Sequence, residues 1–174
     1  MLNIFKYLLV AIFLSFCCCK SHQNQEKRLQ KKLDDFTASD FPFLDFERLY
    51  ILQGKYSTKR NFEIIYPKLE IHRGSDDVNY SDFLIFHLDG TLDMFYDVDI
   101  KAAKLKITPQ NRGSSGVLSK KDGKISIFSE QAFKGLKKLG ISPSYGITKK
   151  ELKIIDGKIY IQDGSTCSVY VLAS

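Results

Sequence analysis

Reactive side chains are few in this sequence, and their spacing restricts the chemistry open to them. The three histidines, His22, His72 and His87, stand too far apart to give the paired spacing of a zinc motif. The densest run of carboxylates is Asp89, Asp93, Asp97 and Asp99. Oxygen-rich clusters can hold calcium, but Lys101 and no glycine occupies the region where a calcium loop turns, so the run reads as a solvated strand face. No metal site and no cofactor is expected. Asp76-Asp77 reads as a turn. Gly113-Ser114-Ser115-Gly116 lacks both the Gly-x-Ser-x-Gly order and the strand–turn–helix frame of a nucleophile elbow. Phosphate-cradling glycine patterns are absent as well. Cys167 sits in an apolar alternation and is expected as a small buried residue, not a nucleophile. These residues give no foothold for catalysis, and the expectation is a protein that is not an enzyme.

The remaining cysteines, Cys17, Cys18 and Cys19, follow a leader. Met1 to Lys6 carries one positive charge, and Tyr7 to Phe16 is a ten-residue apolar run, the n-region and h-region of a secretory signal. From Tyr7 to Cys19 a helix would reach roughly 20 Å, against a hydrocarbon core of about 30 Å. A retained span is the alternative, because Lys6 near a helix end can snorkel.

Leu14-Ser15-Phe16-Cys17-Cys18-Cys19-Lys20-Ser21 resembles the lipobox of bacterial lipoproteins. In that family the first mature cysteine receives a diacylglycerol thioether and then an N-acyl chain such as palmitate. Leu14, at the third position before it, favours Cys17 as the acceptor; Cys18 and Cys19 have smaller immediate predecessors and are the alternatives. The resemblance implies a signal peptide over 1–16 and a membrane partner reached through the lipid anchor. Two or three acyl chains give durable anchoring where one is marginal. The implied place is the bacterial cell envelope, at the outer membrane facing the periplasm, since the segment after the cysteines carries no acidic run that would signal surface export.

Residues 17–40 read as a polar tether, with a Lys/Arg cluster from Lys27 to Lys32. Leu29, Leu33 and Phe36 fall at i, i+4 and i+7, which allows a short amphipathic helix inside it. Overall, 26 Lys plus Arg against 20 Asp plus Glu give a net charge of +6, spread thinly along the chain. Nucleic acid is not an expected partner, because the basic residues are scattered and export removes it.

A globular composition, 44% apolar and 26% charged, leaves 41–174 to fold as one domain. Four Asp-Gly dipeptides, at Asp89, Asp122, Asp156 and Asp163, lie between apolar runs and supply the positive-φ residues of tight hairpins. Leu92, Met94, Tyr96, Val98 and Ile100 alternate with Asp93, Phe95, Asp97 and Asp99, so one face of that strand is expected in a core and the other mostly in water. Leu152/Ile154, Ile159/Ile161 and Cys167/Val169/Val171 repeat the period. Further strands are expected at 54–56, 64–72, 82–88, 104–108, 116–119 and 124–128. Two short helices are expected: Asp45 to Leu52, capped by Asp45, and Glu130 to Leu139, capped by Ser129 and stopped by Gly140. The fold class is mainly β, an antiparallel meander forming a small barrel with one or two short helices.

A helix before a Gly-x-aromatic opening strand (Gly54-Lys55-Tyr56), a meander and a late helix resemble the lipocalin-like domains of small bacterial lipoproteins. The resemblance implies an up-and-down barrel whose centre takes a small apolar ligand. The alternative is a solid barrel, filled by some of the 13 Phe and nine Tyr, in a non-catalytic envelope protein that works through its surface. Neither the ligand-binding residues nor a protein partner can be read from the residues alone.

Overall fold

The computed structural model describes residues 23–59, 61–63, 80–99, 101, 114–133 and 144–173. Eight antiparallel strands follow one another around a closed barrel: β1 Leu49–Ser57, β2 Tyr80–Phe86, β3 Thr91–Asp99, β4 Ser114–Lys121, β5 Lys124–Phe133, β6 Ser144–Ile155, β7 Lys158–Asp163 and β8 Thr166–Leu172. The last strand returns to the first, with Tyr50 opposite Leu172 and Tyr56 opposite Cys167. The fold is therefore the small lipocalin-like meander expected, and among the described residues a helix, α1, runs over residues 23–34 ahead of it. Among the described residues no helix is long and apolar enough to cross a membrane.

The Asp-Gly pairs make the turns. Asp122 and Gly123 (φ 52° and 73°) and Asp156 and Gly157 (φ 50° and 71°) both take the left-handed conformation, as a two-residue type I′ hairpin requires. Lys121 pairs with Lys124 across the first turn and Ile155 with Lys158 across the second. At Asp89-Gly90 the carboxylate holds the turn, its Oδ1 accepting from the Thr91 amide at 2.8 Å and hydroxyl at 2.6 Å.

Three expectations need correction. Asp45 to Leu52 is not a helix: Glu47 takes φ 58° and β1 begins at Leu49. Tertiary bonds capture this backbone instead, the Asp45 amide donating to the Tyr50 hydroxyl (2.8 Å) and the Glu47 amide to the Phe86 carbonyl (2.7 Å). Glu130 to Phe133 continue β5, paired from Glu130↔Ile147 to Phe133↔Ser144, so the start of the expected late helix is strand. A ladder with β6 overrides a local propensity that only tertiary contact could outweigh. The rest of that helix, and the expected strands at 64–72 and 104–108, lie outside the described residues, as do Asp76-Asp77 and residues 1–16.

The third correction concerns β3. Ser81 pairs with Val98 but Phe83 with Phe95, so Tyr96 and Asp97 together oppose Asp82. This is a β-bulge, with Asp97 at φ 53°, and it flips the alternation. Leu92 and Met94 face the core, whereas Phe95 and Val98 share the outer face with Phe83, and Tyr96 is half exposed. A strict period of two cannot survive the extra residue.

Candidate functional site

The pleat sends alternate residues of every strand into the barrel, and along its axis these inward positions change character. At the end carrying the Asp-Gly turns after β2, β4 and β6, the interior is solid. Tyr50, Phe86, Leu92, Leu118, Ile127 and Ile159 fill it, and Phe41 and Leu44 from the chain before β1 belong to the same cluster. Tyr50 meets Phe86 edge to face, with centroids 5.6 Å apart. Phe36 stacks on Phe41 at 5.3 Å and lies against Gly90, where a Cβ would stand 2.5 Å from the ring. Lys32 at the end of α1 places its ammonium 3.7 Å over the Phe128 ring. Residues 36–46 thus plug this end.

Towards the opposite end, where the long connections between β1 and β2, β3 and β4, and β5 and β6 arise, the inward positions become polar. Asp82 continues the inward period of Leu84 and Phe86, Lys150 that of Leu152, Asp163 that of Ile159 and Ile161, and Ser168 that of Tyr170. With Lys55, Met94, Tyr96 and Thr166 these residues line a cavity of about 240 Å³. Its floor is Met94, Ile161 and the ring of Tyr170; its walls carry charge.

Two ion pairs face this cup. Lys55 Nζ lies 3.0 Å from Asp82 Oδ2, and the other oxygen of Asp82 accepts from the Asp97 amide at 3.1 Å, satisfying the backbone of the β3 bulge. Lys150 Nζ lies 3.2 Å from Asp163 Oδ2; the lysine side chain is 19% exposed and the aspartate 66%. Beside Lys150, the Ser129 and Thr148 hydroxyls meet across the β5–β6 ladder at 3.0 Å. Tyr170 is 5% exposed. Burial raises its phenol well above the usual tyrosine range, and the Asp82 charge and Tyr96 add to the shift while Ser168 opposes it, so it is a neutral hydroxyl at any physiological pH. Rigid strands hold every one of these groups. The arrangement can seat a small molecule with its apolar part on Met94, Ile161 and Tyr170 and its polar part against the ion pairs.

A second polar cluster lies on the outer face. His87 Nδ1 lies 3.0 Å from Glu47 Oε2, its Nε2 lies 3.2 Å from Asp93 Oδ2, and Ser115 donates to the other oxygen of Asp93 at 3.3 Å. Burial works against a charged ring, but the two carboxylates outweigh it and raise the imidazole above its ordinary value. The geometry is a clamp: the two ring nitrogens point to opposite carboxylates, and Ser115 bonds to Asp93 rather than to the histidine. Glu47 also accepts from the Leu88 amide at 3.0 Å, tying the plug to the β2–β3 turn. Among the described residues no group of three or more His, Cys, Asp or Glu side chains is placed to hold a metal ion. Outer grooves reach about 370 Å³ beside His87 and about 440 Å³ beside Lys149 and Gln162, but they run over exposed surface outside the barrel.

The aspartates grouped by the sequence are dispersed. Asp89 holds a turn, Asp97 occupies the bulge, and Asp93 is 5% exposed beside His87, which corrects the expectation of a solvated face. Cys167 is fully buried, under Tyr56 and Phe62 on the outer side of β8, and burial pushes its thiol up. Cys17, Cys18 and Cys19, His22 and His72 lie outside the described residues. The cup itself was missed by motif reading, although one signal for it is present in the sequence. On β2, β6, β7 and β8 a polar residue prolongs the apolar inward period, always at the same end of the barrel.

Comparison with known proteins gives no matching family model, no similar curated protein and no similar solved structure.

Proposed function

We propose that this chain is an exported lipoprotein of the bacterial envelope, anchored through Cys17, or through Cys18 or Cys19 in its place, whose barrel carries a small molecule in the cup at its open end. The half-filled interior carries the binding half of this reading. A barrel of about eight strands either fills with side chains or leaves room for one small ligand, and here the described residues pack one half and line a cavity in the other. The ligand expected is amphipathic rather than purely apolar, because Lys55, Asp82, Lys150 and Asp163 line the cup beside Met94 and Ile161. At about 240 Å³ the cup lies below the roughly 300–1,000 Å³ of pockets for drug-sized molecules, so the ligand is small. The anchoring half rests on the Leu14 to Ser21 segment.

Native mass spectrometry of the protein extracted from its host's membranes tests both halves. The expected result is acyl mass on the N-terminal fragment together with a retained small molecule. An unacylated chain with its leader still attached removes the anchor, and a bare polypeptide mass removes the carrier. Replacing Cys17, Cys18 and Cys19 together by Ser is expected to release the protein from the membrane fraction; persistent membrane association supports a retained span.

A further inference from the structure

The two ion pairs of the cup are not equivalent, and their difference selects the charge of the ligand. Asp82 is committed twice, to Lys55 through Oδ2 and to the Asp97 amide through Oδ1, and its side chain is only 14% exposed. Withdrawing Lys55 from it would leave a mostly buried carboxylate without its cation, which is costly. Lys150 is placed in the reverse way. The cation is the sheltered partner, on a strand and 19% exposed, while its counterion Asp163 is 66% exposed beside the β7–β8 turn. Among the described residues, the Asp163 side chain is held to the cup through its ion pair with Lys150. An exposed carboxylate of this kind contributes little to its pair and rehydrates readily when displaced. Within reach of the same cavity lies Tyr170, whose neutral hydroxyl can donate to an anion, and Met94 and Ile161 supply an apolar floor.

We infer that Lys150 is the anchor of an anionic group, and that the cup takes a small organic carboxylate whose compact apolar portion rests on Met94, Ile161 and Tyr170 while Asp163 swings out to water. The inference rests on the carrier reading above and specifies it. Only a non-covalent exchange of partners is involved: the ligand carboxylate replaces that of Asp163 on the Lys150 ammonium, and the sum of charges in the cup is unchanged because Asp163 carries its own negative charge out to solvent. Lys55 remains with Asp82 and fixes the opposite wall.

The experiment uses three probes of equal length, 6,6,6-trifluorohexanoate, 6,6,6-trifluorohexan-1-ol and 6,6,6-trifluorohexylamine, with the full chain in lipid nanodiscs and empty nanodiscs as the blank. Binding is read by fluorine NMR titration. The carboxylate is expected to bind about tenfold tighter than the alcohol, the scale of one hydrogen-bonded charge contact, and the amine weakest. Lys150→Met should bring carboxylate and alcohol together. Asp163→Asn, which keeps the size and shape of the side chain beside the β7–β8 turn, should tighten the carboxylate about threefold and leave the alcohol unchanged, because it removes the competing counterion. An alcohol or amine that binds as tightly as the carboxylate overturns the anion assignment and leaves the carrier reading standing. So does an Asp163→Asn variant that fails to tighten the carboxylate. If none of the three probes binds, the carrier reading falls with it.

Discussion

The two ends of the barrel use the same strands for opposite purposes. At the plugged end the inward residues form one apolar cluster, tight Asp-Gly turns close the ladders, and Phe36, Phe41 and Leu44 finish the core. At the open end the inward positions hold ion pairs and hydroxyls around a cavity, and no apolar cap is supplied by the described residues. Stability should therefore reside in the plugged half and binding in the open half. A barrel makes this division possible because each strand runs through both halves, so the packed end fixes the positions of side chains at the other.

Mutations can break or sharpen this contrast. Phe86→Ala, at 0% exposure in the plugged half, is expected to cost about 3–5 kcal/mol in urea unfolding, the range for a large aromatic deleted from a core. Gly90→Ala should cost about 2 kcal/mol, since the turn needs φ 85° and a methyl group would press on the Phe36 ring; Phe36→Leu made alongside should recover part of it. In the open half, Asp82→Leu alone should lower stability by about 1–2 kcal/mol, because Lys55 and the Asp97 amide lose their partner. The double replacement Lys55→Met with Asp82→Leu should be nearer neutral, as half-buried ion pairs often are when exchanged for apolar residues. A double variant as damaging as Phe86→Ala would erase the distinction between the ends.

The smallest effect is one of pH and belongs to the clamp that ties the plug in place. The folded protein holds His87 with a pKa above the ordinary histidine value, so the folded form binds its proton more tightly than the unfolded chain. The resulting stability, about 1 kcal/mol or less at this partly exposed group, is fully present below the ordinary value near 6.5 and disappears as pH rises through the raised folded value. Unfolding free energies measured across that window should fall for the natural chain and stay flat for His87→Gln. A fall of equal size in the variant would assign it to other groups.

Much of the fold was legible because turn chemistry is local. Asp-Gly between apolar runs specifies a hairpin without reference to the rest of the chain, and all four such pairs lie at hairpin turns. What misled the reading was tertiary. Asp45 to Leu52 has helical composition, yet bonds to Tyr50 and Phe86 claim its backbone. Glu130 to Phe133 has capping residues in helical order, yet the β6 ladder claims it. The bulge opposite Asp82 is invisible in a pattern that assumes one residue for one. The cup was harder still, because it consists of Lys, Asp, Ser and Tyr residues whose types are unremarkable singly and whose meaning lies in sharing one end of the barrel.

Methyl NMR tests the division of the barrel most directly. Met94 is the only methionine besides the initiator, and it lies at the floor of the cup, where Ile161 joins it; Ile127 lies in the plugged half. On titration with 6,6,6-trifluorohexanoate the Met94 and Ile161 methyl signals should shift together and saturate while Ile127 stays in place. Signals that all remain still, or an Ile127 that moves as far as Met94, would contradict a barrel that is packed at one end and receptive at the other.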